Sequence, residues 1–191
     1  IASEPSSAEA AEALRSLRAG RGDDLRAVSE LRELAAQFPK SSALLTALAE
    51  AHYRAGDARA AATTLRLALT LDPTRMEARL LEAGMLLDAD HPLEAAEVYR
   101  AVLQAAPASR AAELGLGRAL VLGGPDAGAE SFIASLAARY PKDPAPRALR
   151  GVLLERRQDS AGAMAAYREA LALDPANADA RRGVDRIAKF P

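Results

Sequence analysis

The 191-residue sequence predicts an all-α fold, an array of helix pairs repeated along the chain, and three observations carry that reading. Ala and Leu supply 48 and 28 residues, against 3 Phe, 4 Tyr and no Trp, a usage that favours helix and disfavours sheet. Pro39, Pro73, Pro107, Pro141 and Pro175 each stand 34 residues from the next. Twelve residues before each proline is an alanine: Ala27, Ala61, Ala95, Ala129 and Ala163. Four residues after each alanine is a large apolar residue: Leu31, Leu65, Tyr99, Ile133 and Tyr167.

Taken in order, residues 1–7 are rich in Ser, Pro and Glu and are expected to be a disordered or linker segment. Residues 8–175 then carry five repeats, by register 8–41, 42–75, 76–109, 110–143 and 144–177, each a helix, a short turn and a second helix. The second unit shows the pattern best. A helix over Ser42 to Arg54 places Leu44, Leu45, Leu48 and His52 along one face. Gly56-Asp57 breaks it, and a helix over Ala58 to Leu71 turns Ala61, Leu65, Ala68 and Leu69 inward. The alanine column marks the close crossing of the two helices, where a larger side chain would force them apart. The large apolar column fills the space one turn later. Each repeat proline stops its second helix because it has no N–H to donate. Pro92 and Pro125 fall near the starts of second helices, where proline is tolerated. Beyond Pro175, about Ala178 to Lys189 reads as a helix with Ala180, Val184 and Ile187 on one face. Arg181, Arg182, Asp185 and Arg186 cover much of the rest, so residues 178–191 suit a terminal cap over the last repeat.

These columns carry a resemblance. The period, the Gly-Asp between helices, the Ala-x3-large spacing and the closing proline resemble the tetratricopeptide (TPR) repeat. Its best copy here is Leu45, Leu48, Ala49, His52, Gly56, Asp57, Ala61, Leu65, Ala68, Asp72 and Pro73. The fourth unit matches through Leu116, Gly117, Leu120, Gly124, Ala129, Ile133 and Pro141. The resemblance covers residues 8 to 175 and implies an α-α superhelix, a TPR solenoid of five helix-turn-helix repeats with a terminal cap helix. No unit carries the family's Trp, and Glu82 and Arg150 take its usual Leu position, so those two first helices are expected to be slightly rotated or packed less tightly.

Composition removes several functions. With 25 basic and 26 acidic residues the chain lacks the electrostatic footprint of a nucleic-acid binder, and aromatic residues for base stacking are scarce. No apolar run approaches the roughly 18 residues of a membrane span. The absence of Cys removes disulfides, thiolate nucleophiles and Cys-ligated metals, and leaves the compartment, periplasm or cytoplasm, open. Arg outnumbers Lys 22 to 3, which reads as a GC-rich, bacterial coding bias. The chain opens on Ile1, not Met, and is expected to be a trimmed or processed product from which any targeting segment has been removed.

No residue stands out for catalysis. His52 takes a position where the resemblance has Tyr, so inter-helix packing accounts for it. His91 follows Asp88 and Asp90, but turn and helix-start roles explain all three without a metal. Gly115-Leu116-Gly117 lies within a helix and follows no strand, so it is no dinucleotide loop. Arg156-Arg157 and Arg181-Arg182 read as solvated. The chain is expected to be no enzyme, with no catalytic residue, no metal and no cofactor.

The resemblance implies that function lies on a concave surface lined by first-helix residues. By register these are Glu9, Glu12 and Ser16, then Ala43, Thr46, Glu50 and Tyr53, with Arg54 beside them. Glu77, Leu80, Gly84 and Leu87 follow, then Ala111, Leu114, Arg118 and Val121, and last Ala145, Ala148, Val152 and Glu155. The early positions are polar and acidic; the later ones are apolar around Arg118. The implied role is a protein–protein interaction scaffold that takes a peptide or helix of a partner in its groove, as a bacterial assembly or adaptor factor, monomeric or a weak homo-oligomer. The alternative is a self-assembling structural array, or the accessory repeat region of a larger enzyme. The chaperone-tail clamp of Lys, Asn and Arg found in some members is not expected, since Asn177 is the sole Asn and Lys40, Lys142 and Lys189 lie off the groove.

Overall fold

The computed structural model describes residues 24–124 and 127–189, with the side chain of Ala127 excepted. Ten helices and no strand occur among the described residues: α1 (Asp24–Gln37), α2 (Ser42–Arg54), α3 (Ala58–Leu71), α4 (Met76–Asp88), α5 (Pro92–Ala105), α6 (Arg110–Gly123), α7 (Ala127–Arg139), α8 (Ala145–Arg156), α9 (Ser160–Leu173) and α10 (Ala178–Lys189). Expectations for residues 1–23, including Glu9, Glu12 and Ser16, and for Pro125 lie outside the described residues.

The 34-residue ladder sets where helices begin and end. α1, α3, α5, α7 and α9 each stop two residues before their proline. Residues just ahead of the helices cap them: Ser41 Oγ accepts from Leu44 N at 3.3 Å, Asp57 from Ala60 N at 2.9 Å, Asp159 from Gly162 N at 2.8 Å and Asn177 from Ala180 N at 2.9 Å. Three of the turns inside pairs reverse direction through a left-handed residue at one register position, which Gly124 (φ 166°) occupies in extended form. Gly56 has φ +83°, and Asp90 and Gln158 hold φ +61° and +65° without being glycine. α5 begins on Pro92, where the missing N–H costs nothing.

The chain divides into two compact units, Ile1–Glu82 and Ala83–Pro191. In the first, Val28, Leu31 and Ala35 of α1 pack with Leu44, Leu45, Leu48 and Ala51 of α2 and Ala68 of α3, with Leu34 and Phe38 at the margin. A polar anchor ties the start of α2 to the end of α3 and the turn after it: the Ser42 hydroxyl donates to the Ala68 carbonyl at 3.0 Å and accepts from Arg75 Nε at 3.1 Å.

In the second unit, Val121, Ala129, Ile133 and Leu153 form one cluster, flanked by Leu120, Leu149 and Val152. Ala148, Ala163, Tyr167, Ala170 and Ala180 form another, closed by Val184 and Ile187 of α10. Across both units every alanine and every large apolar residue of the two sequence columns is no more than 7% exposed. Burying each large side chain stabilises by about 1.5–3 kcal/mol, so the columns are the core.

The two tyrosines of the large column need room. A Cβ on Gly115 would overlap the Tyr99 ring, and one on Gly151 or Gly183 would overlap that of Tyr167. Tyr167 is therefore sandwiched between α8 and α10. Sixteen residues after each large residue lies its counterpart in the next helix: Gly follows Tyr, whereas Ala47 follows Leu31, Leu81 follows Leu65 and Leu149 follows Ile133. At the Tyr–Gly contacts the ring takes the volume that a side chain on the glycine would fill.

Candidate functional site

The first-helix positions assigned to a ligand face differ widely in exposure. In Ile1–Glu82, Ala43, Glu50, Tyr53 and Leu80 are half-buried, and Arg54 and Glu77 are exposed. Arg54 pairs with Asp24 at 3.3 Å and Glu77 with Arg75 at 3.5 Å. Thr46 corrects the expectation. It is 3% exposed, and its hydroxyl turns back to donate to the Ser42 carbonyl at 2.7 Å, so it faces the core. His52 is buried as packing required, and burial holds its imidazole below the ordinary histidine range, Arg32 assisting and Asp57 opposing.

In Ala83–Pro191, Leu114 and Val152 are half-buried, and Ala111 and Arg118 are exposed. Gly84 is half-buried with open space beyond it, since an added Cβ would meet nothing within 4 Å. Leu87, Val121 and Ala148 are corrections like Thr46. Val121 is 0% exposed inside the Ile133 cluster, Leu87 is 9% exposed, and Ala148 is buried against Tyr167. Register fixes the direction of a side chain, but the size of its neighbours decides whether any of it reaches solvent. Glu82, half-buried, pairs with Arg79 at 2.9 Å, and Arg150 is exposed, so the two departures from the Leu position are met by solvent and charge.

Glu155 is not open to a ligand. Both its carboxylate oxygens accept from Arg186 of α10, each at 2.8 Å, and one also accepts from the Tyr167 hydroxyl at 2.8 Å. Arg186 lowers the Glu155 pKa; burial and the carboxylate together raise that of Tyr167. The sequence reading missed this triad, although Arg186 repeats the register of Arg118 and Val152 and was visible as such. It also missed Glu113, 4% exposed in α6, which Arg139 and the Tyr140 hydroxyl satisfy from α7 and the turn after it.

Chemistry beyond contact finds little here. His91 Nδ1 lies 2.9 Å from Glu94, both exposed. Among the described residues no three His, Cys, Asp or Glu side chains are grouped to hold a metal ion. No helix of the described residues is long and apolar enough to cross a membrane.

Helix pairs on a fixed period define a helical-repeat protein. Tetratricopeptide repeat models match residues 86–153 and 147–177. The matched span, residues 86–177, belongs to the tetratricopeptide repeat family, and this fold implies protein partners. Solved structures agree on the fold. PilW, a widely conserved type IV pilus biogenesis factor, superposes with a TM-score of 0.76 at 19% identity, over 96% of this chain and 83% of that one. A thermophilic TPR protein of Thermus thermophilus gives 0.75 at 17% identity, over 97% and 100%. YrrB, a TPR protein with an unusual peptide-binding site, gives 0.66 at 14% identity, over 92% and 88%. No curated protein matches the sequence.

Proposed function

We propose that this chain is a non-enzymatic scaffold that binds a peptide or helix of a partner protein on its first-helix faces, as a bacterial assembly or adaptor factor. The repeats would run 8–41, 42–75, 76–109, 110–143 and 144–177, with 178–191 as the cap. The carrying observation is in Ala83–Pro191: Leu114 and Val152 are half-buried, leaving apolar surface at the solvent boundary. Exposed Ala111 and Arg118 and half-buried Gly84, open beyond its Cα, fall on first-helix positions of the same register. Glu50, Tyr53, Arg54 and Leu80 supply a more polar face in Ile1–Glu82. PilW as a pilus biogenesis factor and YrrB with its peptide-binding site support the same reading.

Two or three leucine-sized anchors, at roughly 1.5–3 kcal/mol each, offset the cost of ordering a short segment. The resulting affinity is near micromolar, about −8 kcal/mol, suited to reversible assembly. No cofactor, nucleic acid or stable oligomer enters this reading. Leu80→Glu and Leu114→Glu test it by calorimetry against peptides selected on the intact chain. Both variants should retain helicity and lose binding. If Leu114→Glu melted the protein while its folded fraction kept full affinity, the face would be wrongly placed.

A further inference from the structure

Most charges of α6 and α8 are settled within the fold; Arg118 and Arg150 are the exceptions. Arg110 pairs with Asp143, and Arg147 and Arg156 donate to the carbonyls of Asp143 and Leu122. Glu113 is taken by Arg139 and Tyr140, and Glu155 by Arg186 and Tyr167. Arg150 acts electrostatically on Glu130. Arg118, like Arg150, makes no hydrogen bond or ion pair among the described residues and is exposed; of the two, Arg118 is the one whose register falls on the proposed ligand face. One turn before it on the same helix stands half-buried Leu114, and one repeat later in register stands half-buried Val152. Its charge is felt at the Tyr99 phenol, as is that of Asp88, which is itself engaged.

We propose that the α6–α8 face selects partner segments that carry a carboxylate beside leucine-sized aliphatic side chains. The carboxylate meets the Arg118 guanidinium, and the aliphatic groups cover Leu114 and Val152. This inference rests on the scaffold reading and names its ligand chemistry. A guanidinium presents a planar fork that matches a carboxylate with two parallel hydrogen bonds. Covering the neighbouring apolar side chains removes water from the pair and strengthens it relative to a solvated surface pair. A neutral segment laid on the same face would desolvate Arg118 without pairing it, and a basic one would add repulsion, so selection comes from both sides.

The test is a random displayed-peptide library panned on the full chain and on Arg118→Lys, Arg118→Gln and Arg118→Glu. On wild type and Arg118→Lys, recovered peptides should be enriched in Asp or Glu next to Leu, Ile or Val. On Arg118→Gln the acidic enrichment should vanish, and on Arg118→Glu basic residues should replace it. A selected peptide, synthesised, should bind Arg118→Gln about tenfold more weakly than wild type, while its Glu→Gln version binds both alike. Recovery of aliphatic peptides without acidic preference, or an unchanged preference on Arg118→Glu, overturns the inference and leaves the scaffold reading standing. Failure to recover any peptide on a chain with intact helicity overturns both. Light scattering that shows a dimer lost in Arg118→Glu assigns the face to a second copy, and binding that requires removal of residues 1–23 assigns it to the chain's own segment; either result overturns the inference.

Discussion

Volume exchange between Tyr99 and Gly115 gives a quantitative forecast. Gly115 sits in the interior of α6 with the Tyr99 ring where its Cβ would be. Gly115→Leu therefore drives a side chain into an occupied space, an overpacking cost of about 1–3 kcal/mol, partly offset by up to about 1 kcal/mol of improved helix propensity. Tyr99→Ile removes a buried ring and leaves a void against a glycine, at a cost of about 1–3 kcal/mol. The double variant rebuilds a pair that this protein already uses, since Ile133 and Leu149 occupy the same register one repeat later and pack in one cluster. It should lose no more than about 1 kcal/mol, so with singles near the middle of their ranges the coupling between the two sites is about 2 kcal/mol, within the range for residues in contact. Urea unfolding followed by circular dichroism measures all four proteins, with comparison valid while the m-value is unchanged. Strict additivity, with the double variant as unstable as the sum of the singles, would refute the volume argument.

Two further outcomes follow from the same contacts. Arg186 holds the Glu155 carboxyl below its ordinary value, so its contribution is present above the unfolded-state pKa and is lost as pH falls through the folded one. Between about pH 5 and about pH 3 the wild type should lose more stability in urea titrations than Glu155→Gln, and parallel losses would show that the Glu155–Arg186 contact carries no such linkage. Ala95→Leu, at a crossing with 0% exposure, should cost about 1–3 kcal/mol; a thermal melt unchanged from wild type would place Ala95 away from the crossing.

The backbone was legible because its signals are local and repeated. Ser42–Arg54 and Ala58–Leu71 are helices over the ranges the periodicity indicates, and the left-handed turn of Gly56 is written in the Gly-Asp pair. Asp90 and Gln158 adopt the same φ without that signature, because the ladder around them fixes the turn and the residue conforms. The pairing of Tyr with Gly sixteen residues later was also present in the sequence, but only a contact reveals that the two columns touch.

The site was less legible for a physical reason. A 34-residue register states which way a side chain points, and it gives Gly84, Arg118, Val152 and Arg186 one shared direction. What each does there depends on neighbours that the register does not repeat. Gly84 leaves open space, Val152 leans on the Ile133 and Tyr167 clusters, and Arg186 is spent on Glu155. Thr46 and Val121 fail as surface residues for the same cause, the first through its own bond to the preceding turn and the second through the bulk of Ile133 and Leu153. Ligand chemistry in such an array is thus read by subtraction: the fold takes the side chains it needs for capping and pairing, and recognition falls to those it leaves at the boundary of solvent. On α6 and α8 that remainder includes the exposed Arg118 guanidinium, one turn from half-buried Leu114 and one repeat in register from half-buried Val152, and a guanidinium has a carboxylate as its best-matched complement.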